Sequence, residues 1–535
     1  MRFLILGICL LSCSSCAYYF GNSWQNSFKK IPASEYPKFE LRPDRISDEQ
    51  LKSHPLVLHW ANKELKRPES KRQRGPSRLM LARLIAETEI KEVNEFLLES
   101  IPWGNSGTSG DLNPLGDYDF TSIILSAILH RFKDDSTILW NETEEHLARV
   151  LLIESGGKPH TKTPRTMRIM KDTENHILMT NISQYLKNQW LLKHGETDEE
   201  FDNAQNGLEQ FLLDNLEELH LTGQYEFNSK PYEGYTISAL LVLHAYADSE
   251  KLKKKTEEVL DSWAWEYMLT TSNFRKSAPF RRRMGRFKNT SLTDNASSSI
   301  MKTWYLEYKQ GVFQLEDIPH NHHQALSALV YDYRPPAEIW NLNFPEQLVF
   351  IGHGKGSSPE IHSRGDGFLL SAGGFQRGEA SQLVARPIVL MLDDGETDHT
   401  RCFHINGKGK WQKWNNTGVH HRFAVGRNRV QVPERYNFVD SVGNWQLFEP
   451  TPEVQVVTYS EEDFGIIFLP EKEINLSELA NANPEPTAGI FSFLNGEEIG
   501  FDVRAPRGKY VVKTYDGKAV DDSTDRWPRV KVNFY

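Results

Sequence analysis

The stretch Asp119–His130, which reads DFTSIILSAILH, shows the pattern that governs the first half of the chain. Its apolar residues Phe120, Ile123, Ile124 and Ile128 recur at steps of three and four, which predicts one buried face of an α-helix. The same spacing returns between about residues 46 and 324, with polar or glycine-containing breaks between the runs. Since each such helix buries a single stripe, the sequence predicts many helices packed together in an array.

The pattern changes after about residue 331. Short runs such as Ile388–Leu392 and Val454–Tyr459 follow, and glycine, proline, asparagine or aspartate residues bound them, as is typical of β-strands. Helical and β segments are segregated rather than alternating, which argues against a βαβ sheet. We therefore predict a helical domain at 46–330 and a β domain at 331–535.

Composition and cysteine positions exclude several classes of protein. The 535 residues are 39% hydrophobic, so a wholly disordered chain is excluded, and the net charge of −10 gives no overall signature of nucleic-acid binding. Cys9, Cys13 and Cys16 lie near the N-terminus, and Cys402 is the fourth cysteine. This distribution excludes a disulfide-rich scaffold and a multi-cysteine zinc site in the body of the chain.

The N-terminus has the features of an export signal. Arg2 is followed by the nine-residue apolar run Phe3–Leu11, which has the length of a signal peptide core and is too short to span a bilayer. The sequence that ends in Cys13 resembles a bacterial lipobox, with Cys16 as a second candidate. We expect a lipoprotein signal at 1–12, lipidation of Cys13, a tether at 13–45, and attachment to the outer membrane or cell surface. A periplasmic or secreted protein with an ordinary signal is the alternative.

Two short segments carry candidate catalytic groups. In the first, Asp172–His176 (DTENH), Asn175 and His176 precede an apolar helical stretch, so an amide and an imidazole are expected to face a cavity at a helix start. In the second, Phe227–Tyr235 (FNSKPYEGY), proline and glycine predict a turn before a helix that begins near Thr236. Tyrosines of this second segment, Tyr232 and Tyr235, would then lie at the mouth of the helical array.

A local basic cluster stands out on this acidic chain. Seven of the 14 residues from Arg275 to Lys288 are basic, which indicates a surface for binding anions. The cluster consists of Arg275, Lys276, Arg281, Arg282, Arg283, Arg286 and Lys288.

These residue types suit β-elimination from a 4-linked uronate. An asparagine amide, aided by arginine, can stabilise the negative charge that builds on the carboxylate when the neighbouring proton leaves. A neutral histidine can abstract that proton, and a tyrosine hydroxyl can protonate the departing glycosidic oxygen. This chemistry needs neither a metal nor an organic cofactor, so we expect no cofactor.

With its helical block, later β block, adjacent Asn-His pair and downstream Pro-Tyr-x-x-Tyr, the chain resembles the heparinase II/III-like and alginate-lyase group of polysaccharide lyases. The resemblance implies an N-terminal (α/α) toroid followed by a C-terminal antiparallel β-sandwich. It also implies that Asn175 neutralises the uronate, that His176 is a base, and that Tyr232 is an acid or base. An acidic polysaccharide would be the substrate.

Further residues are expected to contact the substrate. They comprise neighbours of the two motifs, arginines of the basic cluster and one β-domain histidine, namely Glu174, Tyr235, Arg281, Arg282, Arg283, Arg286 and His362. The resemblance implies a histidine or tyrosine from the sheet domain, and His362 precedes a strand that could overhang the cleft. The other histidines considered for this role are His320, His322, His323 and His353.

Two other functions fit the sequence. An (α/α)-toroid glycoside hydrolase would need two carboxylates across a cleft, for which Asp117, Asp119, Glu174 and Glu233 are the candidates. A non-catalytic surface protein would bind glycan through aromatic residues of the β domain, among them Trp411, Trp414 and Trp445.

No metal site is expected from the sequence. His320, His322 and His323 lack a nearby acidic ligand at a clear spacing, and the loop Gly110–Phe120 does not follow the order of an EF-hand. We expect Asp117 or Asp119, in that loop, to cap the following helix and the loop to line the cleft.

Overall fold

The computed structural model describes most of the chain beyond its N-terminal 32 residues. The described ranges are 33–66, 76–104, 108–153, 158–230, 232–277, 280–281, 289–318, 322–342, 344–353, 359–372, 384–385, 387–406, 417–452, 454–505, 510–521 and 527–534.

Helices fill the N-terminal half of the described residues, as the apolar spacing predicted. They are α1 (Asp48–Lys52), α2 (Pro55–Ala61), α3 (Pro76–Ile85), α4 (Ile90–Leu98), α5 (Asp119–Phe132), α6 (Asn141–His146), α7 (Glu174–Lys193), α8 (Leu208–Thr222), α9 (Tyr232–Tyr246), α10 (Glu250–Leu269), α11 (Ala296–Gln310) and α12 (His322–Val330). A further helix, α13 (Leu476–Ala482), lies in the C-terminal half.

One continuous apolar core joins these helices. It includes Leu125 of α5, Leu186 of α7 and Leu240 of α9, all of them fully buried. Helix α7 packs against both α5 and α9, and 18 of its 20 residues are buried. A helix that is buried on every side lies inside the array, and α7 therefore carries its first-turn residues, Asn175 and His176, into the interior.

Strands follow in the C-terminal half, and they are numbered after the three short strands β1–β3 described below. They are β4 (Gln347–Ile351), β5 (Glu360–Gly365), β6 (Phe368–Ala372), β7 (Val384–Ala385), β8 (Ile388–Leu392), β9 (Phe403–Ile405), β10 (Thr417–His420), β11 (Phe423–Gly426), β12 (Val430–Gln431), β13 (Asn437–Val442), β14 (Trp445–Thr451), β15 (Val454–Glu461), β16 (Phe464–Phe468), β17 (Ile490–Ser492), β18 (Glu498–Phe501), β19 (Val512–Tyr515), β20 (Lys518–Ala519) and β21 (Val530–Phe534).

These strands form antiparallel sheets. The seven-stranded sheet has the order β12-β9-β8-β6-β5-β4-β21, the six-stranded sheet has the order β10-β11-β16-β15-β14-β13, and a four-stranded sheet has the order β17-β18-β19-β20. A second apolar core includes Leu370 and Leu390 of the seven-stranded sheet together with Val425 and Ile467 of the six-stranded sheet. The order of a helical half and then an antiparallel β half is thus confirmed.

The helical half also contains a short β arm. Strands β1 (Thr271–Ser272) and β2 (Arg275–Lys276) pair with each other, and β3 (Phe280–Arg281) pairs with β7 of the C-terminal half. The arm therefore links the two halves through backbone hydrogen bonds that the apolar spacing of the sequence did not indicate.

Residues 33–45 differ from the expected tether. Tyr36 donates a hydrogen bond to Glu266 Oε1 (2.9 Å), and Ser34 Oγ accepts one from the backbone of Val530 (3.0 Å). Arg42 pairs with Asp261 of α10. This segment is thus fixed to α10 and β21 by specific polar contacts, so the predicted tether does not extend to residue 45.

None of the helices in the described ranges has the length and apolar character needed to cross a bilayer.

Candidate active site

The first turns of five helices meet around the rings of Phe120 and Tyr235. The residues that meet there are Arg78 of α3, Asp119 and Phe120 of α5, Asn175 and His176 of α7, Tyr232 and Tyr235 of α9, and His323 of α12. Each helix presents the positive end of its dipole at its start, and such ends favour anions. The place where the five helices begin is therefore suited to a negatively charged ligand.

His176 is held by a buried carboxylate. Its Nδ1 lies 2.7 Å from Asp119 Oδ2, and the His176 and Asp119 side chains are 4% and 0% exposed. Burial alone would lower the pKa of His176, but the carboxylates of Asp119 and, to a lesser degree, Asp172 outweigh it, and the net shift is upward from 6.5. Asp117 or Asp119 was expected to cap α5, yet the start of this helix has no side-chain cap hydrogen bond, and Asp119 orients the imidazole instead.

Asn175 presents an uncommitted donor beside this pair. Its side-chain oxygen accepts hydrogen bonds from Thr173 Oγ1 (2.8 Å) and from the backbone of His176 (2.7 Å), which fixes the amide. The Nδ2 group of Asn175 is buried and has no partner among the described residues. A ligand or a water can satisfy such a donor, and Asn175 shares this feature with other buried side-chain polar atoms of the described residues.

The two tyrosines of the second motif belong to the same group of aromatic rings. The Tyr235 ring lies 4.5 Å from the Phe120 ring, the Phe120 ring lies 5.3 Å from the His176 ring, and Tyr232 lies 6.4 Å from Tyr235. Both tyrosines are half-buried. The structure thus brings the Asn-His motif and the two tyrosines into one cluster, in which the Phe120 ring contacts His176 and Tyr235, and Tyr235 contacts Tyr232.

The helix that carries these tyrosines begins earlier than predicted. Helix α9 starts at Tyr232 rather than near Thr236, and Gly234 lies inside it. A Cβ atom at Gly234 would lie 2.4 Å from the Ala296 side chain and 2.7 Å from that of Gln324. The glycine therefore permits close packing of α9 against α11 and α12, and it does not form a turn.

Arg78 is a site residue that the sequence did not reveal. It is 7% exposed, its guanidinium carbon lies 5.7 Å from the centre of the Tyr235 ring, and its Nε has no partner among the described residues. A buried arginine beside a tyrosine can bind a carboxylate through two parallel hydrogen bonds. In sequence it is an ordinary residue of a basic stretch, and only the packing of α3 brings it to the cluster.

The carboxylates proposed for a hydrolase have structural partners. Glu174 Oε1 accepts the backbone N–H of Glu226 (2.8 Å). Glu233 accepts hydrogen bonds from Trp263 Nε1 (3.1 Å) and Ser297 Oγ (2.6 Å), and it is buried. Glu174 therefore fixes the segment before Tyr232, and Glu233 links α9 to α10 and α11.

His362 belongs to a buried network between the two halves of the chain. Its Nε2 lies 2.8 Å from Glu360 Oε2 and its Nδ1 lies 2.8 Å from Ser371 Oγ, with the ring fully buried. The other oxygen of Glu360 accepts hydrogen bonds from His353 Nε2 (2.6 Å) and Asn228 Nδ2 (2.7 Å). The predicted substrate contact of His362 is not available in this arrangement, because both ring nitrogens are engaged and the ring is sealed.

This network nevertheless reaches the candidate site. Asn228 lies in the segment that leads into Tyr232, and the ring of its neighbour Phe227 stacks on His353 at 3.6 Å. Lys276 Nζ lies 3.9 Å from Glu360, and together with the two histidines it holds the pKa of that buried carboxyl well below 4.5 against the raising effect of burial. An ionised Glu360 thus anchors the segment before Tyr232 to the β half.

The basic cluster does not form a uniform anion-binding surface. Arg275 is buried and donates hydrogen bonds to the backbone carbonyls of Leu392 (2.7 Å) and Glu396 (3.1 Å). Lys276 is also buried and donates to Thr270 Oγ1 (2.9 Å). The charged groups of Arg275 and Lys276 are therefore used in hydrogen bonds that stabilise the β arm. The backbone of Arg281 lies in β3, whereas its side chain, Arg282, Arg283, Arg286 and Lys288 lie outside the described part of the chain.

A cation could be held at one place in this site. Oxygens of Asp117 and Asp119 and a ring nitrogen of His176 lie within 4.8 Å of one another, and all three residues are buried. Asp119 Oδ2 and His176 Nδ1 lie at an ordinary hydrogen-bond distance of 2.7 Å, so a metal ion bound by both atoms would have to replace the proton between them. The structure thus offers a set of ligands that the sequence analysis did not expect.

Other residues considered in the sequence analysis lie outside the described residues or away from this site. Cys13, Cys16, His320, Trp411 and Trp414 are outside the described residues, as is the side chain of His322. Trp445 is 3% exposed and packs against Tyr459, so it offers no surface for a glycan. Cys402 is a buried free thiol, and burial raises its pKa to about 12.

Comparisons with known proteins leave the family open. No protein-family model matches the chain, and no curated protein matches it either.

Proposed function

We propose that the protein is a polysaccharide lyase that cleaves a uronate-containing glycan by β-elimination. The observation that carries the proposal is the buried, unpartnered Nδ2 of Asn175, which precedes His176 of the Asp119–His176 pair, in a cluster where the rings of Phe120 and Tyr235 connect His176 to Tyr232. The Asn175 amide is held in place by the two hydrogen bonds that its own oxygen accepts. Its Nδ2 group therefore need not reorient to bind a substrate carboxylate as negative charge develops there.

The charge around the cluster supports an acidic substrate. Five helix starts and the buried Arg78 contribute positive potential beside the buried carboxylates of Asp117 and Asp119, at a place that burial separates from bulk water. Electrostatic interactions gain strength in such surroundings, since the effective dielectric constant is lower than in water. A uronate carboxylate bound by Asn175 and Arg78 would lose much of its negative charge, which makes the proton at C5 easier to remove.

The reaction then follows from the roles of three residues. His176 Nε2 makes no hydrogen bond to a described residue, and in its neutral form it accepts the C5 proton while Asp119 holds Nδ1. The electron pair of the C5–H bond forms a double bond between C4 and C5, and the C4–O4 bond breaks. Tyr232 donates its hydroxyl proton to the departing O4, which leaves one unsaturated and one ordinary sugar end.

A panel of purified uronate polysaccharides tests this proposal. Wild-type protein should release products that absorb ultraviolet light, and Asn175→Ala, His176→Ala and Tyr232→Phe should each abolish or strongly reduce their release. Glu233→Gln is the matched control, because Glu233 is a neighbour of Tyr232 on α9 yet serves a structural role. A folded wild-type protein that yields no unsaturated product from any uronate polymer would contradict the proposal.

A hydrolase on the same helices has less support. It would need two carboxylates free to face each other across a glycosidic bond. Asp119 is committed to His176, and Glu233 is committed to Trp263 and Ser297. Saturated products that carry new reducing ends would favour the hydrolase over the lyase.

We further propose that the helices form an (α/α) toroid, that the two large sheets form a β-sandwich, and that Cys13 carries a lipid anchor. The toroid and the sandwich would place the five helix starts beside the β half, as the contact between Asn228 and Glu360 suggests. Mass spectrometry of the N-terminal peptide tests the anchor. A peptide that begins with a lipidated Cys13 is expected, and an unmodified Cys13 would contradict it.

A further inference from the structure

The C-terminal half contains a cavity far from the helix starts in sequence. Its volume is about 560 Å³, which lies within the range of about 300–1,000 Å³ found for small-molecule sites. Every residue that lines it belongs to the segment between Glu346 and Tyr515. The cavity is therefore built entirely from the β half, and its occupant need not be the substrate proposed above.

Aromatic side chains form one wall of this cavity. Tyr515 and His421 stack at 4.4 Å with nearly parallel rings, and Phe493 meets the ring of Phe468 at 5.4 Å and that of Tyr515 at 6.4 Å. Burial lowers the pKa of His421 to about 4, so this ring is neutral near pH 7. The wall thus offers uncharged π faces and edges, which attract cations as well as apolar groups.

The lining of the cavity also carries excess negative charge. Glu471 and Glu473 are exposed lining residues, and neither makes a hydrogen bond or ion pair with a described residue. Lys472 lies between them and is likewise exposed. Glu497 also lines the cavity, and hydrogen bonds from Asn495 and Tyr515 lower its pKa, so it stays ionised at neutral pH.

The remaining charges of the lining cancel. Arg422 holds Glu346 through two hydrogen bonds of 2.8 and 3.1 Å, so this pair is neutral as a unit. The carboxylates of Glu471, Glu473 and Glu497 then outnumber the single ammonium group of Lys472. The cavity therefore has an uncompensated negative charge. An acidic glycan would be repelled by this charge.

We propose that this cavity binds a small organic cation, an ammonium group carried on an apolar body. The body would pack against Phe493 and the stacked Tyr515–His421 pair, and the ammonium would face Glu471, Glu473 and Glu497. An aromatic face attracts a cation, and each exposed carboxylate adds a further, weak attraction that salt screens. Shape, aromatic character and charge thus select the same class of ligand.

Calorimetric titration of the full-length protein with phenethylammonium tests the proposal. We expect binding at a single site that weakens as salt is raised, because the carboxylates are exposed to screening. Phenylpropionate, which has a similar aromatic body and a negative charge, should not bind. Equal binding of the two probes, or no binding of phenethylammonium, would overturn the proposal.

Variants separate the contributions of charge and ring. Glu471→Gln and Glu473→Gln should each weaken binding by about two- to five-fold, the effect expected of an exposed ion pair. Phe493→Leu keeps an apolar side chain and removes the π face, so it should also weaken binding of the cation. Glu485→Gln, an exposed residue outside the cavity, is the matched control and should bind as the wild type does. Unchanged affinity in the double variant Glu471→Gln/Glu473→Gln would contradict the assignment.

Discussion

Replacing Asp119 with asparagine tests the buried pair that fixes the His176 ring. The substitution keeps the shape of the side chain and a possible hydrogen bond to His176 Nδ1, and it removes the negative charge. Asp119 raises the pKa of His176, so in the variant this pKa should fall. The folded protein will then hold a neutral imidazole over a wider range of pH.

The structure sets the size of the effect. Hydrogen bonds that involve charged groups contribute about 1.5–3 kcal/mol to stability, and those between neutral groups contribute about 0.5–1.5 kcal/mol. Since both side chains are almost fully buried, solvent screening is small, and Asp119→Asn should cost about 1–2 kcal/mol at pH 6. At higher pH we expect a smaller cost, because protonation of His176 is linked to folding.

A histidine whose pKa is raised on folding adds stability that is complete below its ordinary value of 6.5 and is lost as the pH rises through the folded-state pKa. The difference between the wild type and Asp119→Asn should therefore be largest near pH 6 and should shrink above the raised pKa. Urea unfolding followed by circular dichroism at a series of pH values measures this difference directly.

Glu233→Gln is the control for this experiment. Glu233 is also a buried carboxylate of the helical half, but its partners Trp263 and Ser297 are neutral, so its removal should cost a similar amount at pH 6 and at higher pH. A cost of Asp119→Asn that does not change with pH, as in this control, would refute the charged pair.

Three further predictions concern packing, the network between the halves and metal binding. Gly234→Ala should destabilise the protein by about 1–3 kcal/mol in thermal unfolding, because its Cβ would overlap the Ala296 side chain, and an unchanged melting temperature would contradict the close packing. Glu360→Gln leaves the buried Lys276 without its carboxylate and should cost about 3–5 kcal/mol, whereas a melting temperature like that of the wild type would show that the network adds no stability. Neither EDTA nor Zn²⁺ should shift the melting temperature if a proton joins Asp119 and His176, and stabilisation by Zn²⁺ that is lost in Asp117→Asn would instead indicate a metal site.

The parts of the fold that depend on local pattern could be predicted from the sequence. Apolar residues such as Phe120 and Ile124 recur with helical spacing, and α5 forms there. The start of α7 at Glu174 was also predictable, since a polar segment precedes a long apolar run. The β arm was not predictable, because Arg275 and Lys276 resemble surface residues in sequence, and only tertiary contacts show that their charges are buried.

The candidate site was predictable only in part. Asn175, His176 and Tyr232 were recognised by residue type and spacing, and the structure brings their helices together. Asp119 was noticed as a possible cap, yet its bond to His176 spans 57 positions in the chain and leaves no local signal. Arg78 was missed for the same reason, since its position beside Tyr235 follows from how α3 packs.

The central claim is that the helix starts around Phe120 bind a uronate and eliminate its 4-linked neighbour. Mass spectrometry of the products from a defined uronate oligosaccharide tests it most directly. Elimination only rearranges the atoms of the substrate, so we predict two fragments whose masses add up to that of the substrate, one of them with a new double bond, and no such fragments from Tyr232→Phe. Fragments that together are heavier than the substrate by one water molecule would indicate hydrolysis and would contradict the account.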